Sequence, residues 1–331
     1  MESYLQREIV TKPGSRSLAH ALVDALYTKS ALRLEYDSAM TRNAAQAFEA
    51  RTGNCLSLVI MTAAFAKALG IPVYYQSVAT ETVWARSGDI EFAIDHVNLS
   101  LGKRVSEVVR ASRFQDVLTV DFLPSQGDAR QQIYVLPEKA VIAMYMNNRA
   151  AELLVQGRLT DAYWYAREAI VQDPAFVRAY NTLGVVYRRH GDLADAERAL
   201  RYALEMEPSN VQVISNLAQV LTDGGRAAEA GVLRHKLAQL EAEPPFIFYD
   251  RGVAAYRRGD YAAALDLFRR EVARAPYYHE FHFWLALTYS KTGDLNRARQ
   301  ELALAMENST TYADHALYAA KLERLQSHRA Q

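Results

Sequence analysis

The stretch that decides the fold runs from Val177 to Asn210 and reads VRAYNTLGVVYRRHGDLADAERALRYALEMEPSN. Its apolar residues follow helical spacing on both sides of Gly191, which predicts two amphipathic helices joined at that glycine. A tight interhelical turn suits a residue without Cβ strain. Pro208 ends the second helix and opens the next. The pattern is not local. Gly157, Gly191, Gly225, Gly259 and Gly293 follow one another at intervals of 34 residues, and an alanine stands five residues after each, at Ala162, Ala196, Ala230, Ala264 and Ala298. A second small position recurs seven residues before each glycine, at Ala150, Gly184, Ala218, Gly252 and Ala286. Small residues there let the two helices approach closely. Pro174, Pro208 and Pro276 share one phase of the same period.

A constant 34-residue period of two helices resembles the tetratricopeptide repeat (TPR). Leu183, Gly184, Tyr187, Gly191, Ala196, Ala203 and Pro208 all fall on that family's pattern. The third unit departs at its end, where Pro244-Pro245 displaces the proline and predicts an irregular finish, and the fifth lacks a closing proline. Tyr312 to Ser327 reads as a capping helix that covers the last apolar face. The resemblance implies an all-α TPR superhelical solenoid over residues 139–331, with five hairpins over about 143–310.

Such solenoids present a concave groove, made by the first helix of each unit, to a peptide or partner protein. Counted along the repeat, groove-side positions are Asn147, Asn181, Ser215, Tyr249 and Phe283, followed by Asn148, Thr182, Asn216, Asp250 and Trp284. Amides suit an extended peptide backbone and aromatics suit side-chain anchoring. Asn147, Asn148, Asn181, Asn216, Tyr249 and Trp284 are the candidate partner-binding residues. The alternative for Tyr249, Phe283 and Trp284 is packing between units.

Composition sets the outer limits. The 331 residues hold 38 Lys+Arg against 38 Asp+Glu and a single cysteine. Zero net charge argues against a protein held mainly by phosphates, so no nucleic-acid partner is expected. One cysteine forms no internal disulfide and builds no cysteine-rich metal centre. With 50% apolar and 23% charged residues, the chain reads as globular. The longest near-apolar run, Cys55 to Ala66, is too short for a membrane span. The N-terminus lacks a secretory pattern, which points to the cytoplasm, or to the periplasm if a signal was removed before residue 1. His279 and His282 lie three apart without an evident third ligand and read as surface or groove histidines, so no metal and no cofactor are expected.

Residues 1–138 lack the repeat and form the expected first domain. Ser17 to Thr28 reads as a helix, and Thr41 to Arg51 as a second with Thr41 as its cap. Gly53 breaks that helix, Asn54 caps the next, and Gly70 with Pro72 ends it. Cys55 thus falls in the first turn of a long apolar helix, where the N–H groups and dipole favour a thiolate. The alternative is a small buried hydrophobe. The pattern then changes to period two. Val73 to Val78 reads as a strand followed by a polar loop through Gly88. Ile94 to Leu101 and Val117 to Pro124 read as two more strands. Val97, Leu99 and Leu101 share one face of theirs, and His96, Asn98 and Ser100 share the other. Asp121 points away from the apolar face of Leu118, Val120 and Phe122.

Side by side over the helix start, these strands make a Cys–His–Asp constellation. Cys55 is then the nucleophile, His96 the general base, and Asp121 the residue that orients the imidazole. Asp95 is the rival for the third role, but its adjacency to His96 turns it to the opposite face.

Gly53-Asn54-Cys55, the helix ending Ala68-Leu69-Gly70-Ile71-Pro72, His96-Val97-Asn98-Leu99 and Val120-Asp121-Phe122 together resemble the transglutaminase-like superfamily over about residues 33–125. The order Cys, His, Asp also matches, with gaps of 41 and 25 residues. Val97 and Asn98 stand where that family often carries an aromatic residue. The resemblance implies a papain-like α+β domain, with Cys55, His96 and Asp121 at its triad positions. It also implies a cysteine protease or amidase acting through a thioester. Gln76 and Asn98 are candidates for an oxyanion donor beside the Cys55 N–H. Two readings of function follow. One is an amide hydrolase, or a transamidase, on a protein or peptide recruited by the repeat groove. The other is a non-catalytic adaptor.

Overall fold

The structure is a computed structural model of the chain. It describes residues 2–5, 9, 17–27, 34–38, 40–87, 90–102, 118–122, 132–241 and 243–327, with the side chains of residues 2, 5, 35, 78–95, 132 and 327 outside the description. The chain forms two compact units, Met1–Glu35 with Met40–Ala242, and Tyr36–Ala39 with Glu243–Gln331.

The first unit begins with α1 (Glu2–Leu5) and α2 (Leu18–Tyr27). The short strand β1 (Glu35–Tyr36) precedes α3 (Ala44–Ala50), β2 (Thr52–Gly53) and α4 (Cys55–Ala68). Asn43, not Thr41, caps α3: its side chain accepts from the Gln46 N–H while Gln46 reaches back to the Asn43 N–H. The two reciprocal bonds satisfy two helix-start donors, which a lone threonine cannot do. Asn54 caps α4 as expected, accepting from the Ser57 N–H at 2.9 Å. Gly70, at φ +68°, and Pro72 end that helix. Ten residues of α4 are buried, in keeping with its near-continuous apolar sequence.

Next come β3 (Val73–Ser87), β4 (Ile90–Leu101), β5 (Leu118–Val120) and β6 (Gln132–Leu136), an antiparallel sheet in the order β5-β4-β3-β6. The loop expected after Val78 is instead a continuation of β3, with a break in register between Val78 and Val83. Polar residues there resemble a loop, but a long hairpin partner supplies the backbone bonds. The ends of the expected third strand, Val117 and Leu123-Pro124, lie outside the described residues. Val97, Leu99 and Leu101 are buried on one face, as their alternation requires. The N-terminal region is a small antiparallel sheet beside helices, and the finer papain-like assignment stays a resemblance.

The repeat helices of this unit are α5 (Glu138–Val155), α6 (Leu159–Gln172), α7 (Val177–His190), α8 (Leu193–Met206), α9 (Val211–Asp223) and α10 (Ala227–Leu240). The second unit contains α11 (Ile247–Arg257), α12 (Tyr261–Arg274), α13 (His279–Lys291), α14 (Leu295–Glu307) and α15 (Tyr312–Ser327). The periodic residues explain the hairpins. Gly157, Gly191, Gly225, Gly259 and Gly293 all turn with φ between +72° and +99°, a region that favours glycine. The alanine five residues on is fully buried in every hairpin. At Gly184 a Cβ would meet Leu200 Cγ at 2.5 Å, and at Gly252 it would meet Phe268 Cε1 at 2.7 Å. α15 packs on α14.

Candidate functional site

Two places in the first unit carry polar groups in arrangements that packing alone does not require. The first is built on the sheet. Leu99 pairs with Val120 and Ser100 with Thr119 across β4 and β5. His96 Nε2 lies 2.8 Å from Asp121 Oδ2, and Asn98 Nδ2 donates to the same oxygen at 3.0 Å. A carboxylate only accepts, so Nε2 carries the proton and a neutral His96 has a bare Nδ1. That Nδ1 is buried and makes no hydrogen bond. The His96 side chain is 10% exposed and that of Asp121 is 32% exposed.

Cys55 is buried in the first turn of α4, and α4 packs on β4. The turn is braced from outside: Asn54 Nδ2 donates to Thr41 Oγ1 at 2.8 Å, and the Thr41 N–H donates to Glu152 Oε1 of α5 at 2.7 Å. The structure therefore brings His96 and Asp121 together. It does not join Cys55 to the free ring nitrogen, because His96 Nδ1 has no hydrogen-bond partner. The Asp95 side chain lies outside the described residues. Asn98, a candidate oxyanion donor by sequence, has its amide nitrogen on Asp121, and its Oδ1 is buried without a partner. Gln76 stands opposite Asn98 in the register and presents a buried, unpartnered Oε1.

The second place is the layer of first helices. α5 contacts α7, and α7 contacts α9. Asn216 Nδ2 donates to Asn181 Oδ1 at 2.9 Å. Asn147 Oδ1 is buried without a partner, and Asn148 is half-buried. Arg188 joins α7 to α9 through Asp223 at 2.6 Å and Gln219 at 2.7 Å.

Within the second unit, Tyr249 and Trp284 are half-buried and pack against a core that includes Phe268 and Leu285. The Tyr249 hydroxyl donates to Glu280, and burial, then that carboxylate, pushes its pKa upward. His282 corrects the surface or groove assignment: it is 3% exposed, with Nδ1 2.7 Å from Glu301 Oε2 and Nε2 2.8 Å from the Pro276 carbonyl. Burial opposes its charge, but these two acceptors outweigh it and raise its pKa. Among the described residues no group of His, Cys, Asp and Glu is arranged to hold a metal ion, and no helix is long and apolar enough to cross a membrane.

Residues 147–200, 181–234 and 249–313 match the tetratricopeptide repeat family profile. These helical hairpins are TPR repeats. A TPR repeat-containing protein of Pseudomonas aeruginosa is 26% identical over 204 residues, covering 55% of this chain and 35% of the relative. A TPR repeat-containing thioredoxin of Arabidopsis thaliana is 30% identical over 99 residues, covering 30% of this chain and 14% of the relative. The chain thus spans about a third or less of the length of these curated relatives. Among solved structures, YrrB, a TPR protein with an unusual peptide-binding site, is 21% identical, with 54% of this chain and 92% of that one covered at a TM-score of 0.29. The family match falls on the TPR hairpins, so the likeness of residues 33–125 to the transglutaminase-like superfamily rests on their residue pattern.

Proposed function

We propose that the chain is a partner-binding TPR protein whose first helices hold an extended peptide segment. The observation that carries this reading is the row of amides on α5, α7 and α9, in which Asn181 and Asn216 are bonded to each other and Asn147 Oδ1 is buried and unspent. Amide side chains offer a donor and an acceptor together, the pair that a peptide backbone presents. A displayed peptide library selected on the full chain supplies the ligand. Asn181→Ala and Asn216→Ala should each weaken its binding about fivefold, as expected for loss of a hydrogen bond of about 1 kcal/mol. Unchanged affinity in both variants would remove the amide row from the site.

The bond between His96 and Asp121 favours a second reading, a cysteine amide hydrolase acting on the recruited partner. The Cys55 thiol gives its proton to His96 Nδ1 as the sulfur attacks an amide carbonyl. The amine departs with that proton, leaving a thioester on Cys55. Water then releases the acid and restores the thiol, or an amine takes the acyl group in a transamidation. Asp121 keeps Nε2 protonated and stabilises the imidazolium. Catalysis on this reading requires the thiol and Nδ1 to come within hydrogen-bond reach in the free protein in solution, a contact that a static substrate-free geometry often shows as loose. Cys55 should alkylate quickly with iodoacetamide, and much more slowly in His96→Ala. Equal, slow labelling in both proteins would leave the adaptor reading alone.

A further inference from the structure

Asp121 lies one residue beyond the end of β5, and the paired backbone stops at Leu99 and Val120. Its carboxylate is held from β4. Continuing the register of Ser100 with Thr119 and Leu99 with Val120 places Asn98 directly opposite Asp121, with His96 two residues further along the same face of β4. The straight-across amide and the diagonal imidazole meet on one oxygen, Asp121 Oδ2, at 3.0 and 2.8 Å.

Asn98 is 3% exposed, and its Oδ1 is buried without a partner. A residue present only to fill space there would be apolar and leave no orphan acceptor. Asn98 instead leaves half of its hydrogen-bonding capacity unmet while its amide nitrogen serves the carboxylate. Swapping the two ends would set the carbonyl against Asp121, so the contact fixes which end is which.

We propose that Asn98 is a positioning residue: it holds the Asp121 carboxylate so that His96 keeps its proton on Nε2 and presents Nδ1 bare. The use of that Nδ1 on Cys55 rests on the hydrolase reading. The hold of Asn98 on Asp121 does not.

Nuclear magnetic resonance of the full chain separates the two. In the unmodified protein, the His96 Nε2 proton and one of the two Asn98 Nδ2 protons should exchange slowly with solvent. Asn98→Ala should lose the slow Nε2 proton, as Asp121→Ala should, while the backbone spectrum of β4 keeps its dispersion. Two rapidly exchanging Asn98 amide protons in the unmodified chain would overturn the proposal without needing any variant to fold. So would an unchanged Nε2 proton in Asn98→Ala. Iodoacetamide labelling of Cys55 is read in parallel. If the hydrolase reading also holds, Asn98→Ala slows labelling about tenfold, a partial loss of the roughly hundredfold or more that a general base contributes. If the unmodified chain already labels slowly, that reading fails, and the proton measurements still decide the role of Asn98.

Discussion

Replacing Gly184 with alanine sets two opposed effects against each other. In an exposed helix interior, glycine to alanine stabilises by about 0.8–1 kcal/mol, because the unfolded chain loses freedom. Gly184 is buried on α7, and an added Cβ would lie 2.5 Å from Leu200 Cγ, 2.9 Å from Cδ2 and 3.1 Å from Cδ1. Leu200 is fully buried on α8, so its branch carbon cannot swing aside. The two helices must separate or Leu200 must leave its rotamer, and overpacking of this kind costs about 1–3 kcal/mol. The net expectation is destabilisation by up to about 2 kcal/mol. A urea titration followed by circular dichroism reads this as a lower midpoint at unchanged slope. Leu200→Ala alone leaves a cavity, but combined with Gly184→Ala it should cost less than the sum of the two changes, since the alanine methyl occupies the vacated space. A stabilised Gly184→Ala protein would refute the close approach of α7 and α8 at this point.

Other sites give independent checks. Gly191→Ala, at φ +99° with open space around its Cβ position, should lose about 1 kcal/mol through backbone strain alone, with no rescue by Leu200→Ala, in the same titration. Asn54→Ala removes the cap of α4 and should cost about 1 kcal/mol, read as faster hydrogen exchange in the first turn around Cys55. His282 has its pKa raised above 6.5, so its contribution is complete below the unfolded value and is lost as pH rises through the folded one. His279 has its pKa lowered, by burial first, and so it acts on the acid side of 6.5. Hydrogen exchange of α13 and α14 should therefore quicken as pH rises above 6.5, beyond the intrinsic pH dependence, and Glu301→Gln should flatten that rise.

The repeats were legible because their constraint is periodic. The turn glycines need positive φ, the alanine five residues on needs full burial, and both recur at one spacing. The start of α4 was equally plain, since Asn54 and Gly70 mark its two ends by local chemistry. What sequence missed depends on partners distant in the chain. Asn43 displaced Thr41 as a cap because Thr41 is engaged by Asn54 and Glu152, the latter 111 residues away. The length of β3 depends on cross-strand bonds that its polar residues do not advertise. His282 is buried because Glu301 and the Pro276 carbonyl supply two acceptors, a fact absent from a three-residue histidine spacing. At the sheet site, alternation put His96 and Asn98 on one face, but only the register shows that both converge on Asp121.

In the proposed function, a partner peptide lies along the first helices of the TPR hairpins. Hydrogen exchange of the full chain, with and without a library-selected peptide, tests it directly. New protection should concentrate on α5, α7 and α9 and be reduced in an Asn181→Ala, Asn216→Ala double variant. Protection confined to α6, α8 and α10, or protection indifferent to the two asparagines, would contradict it.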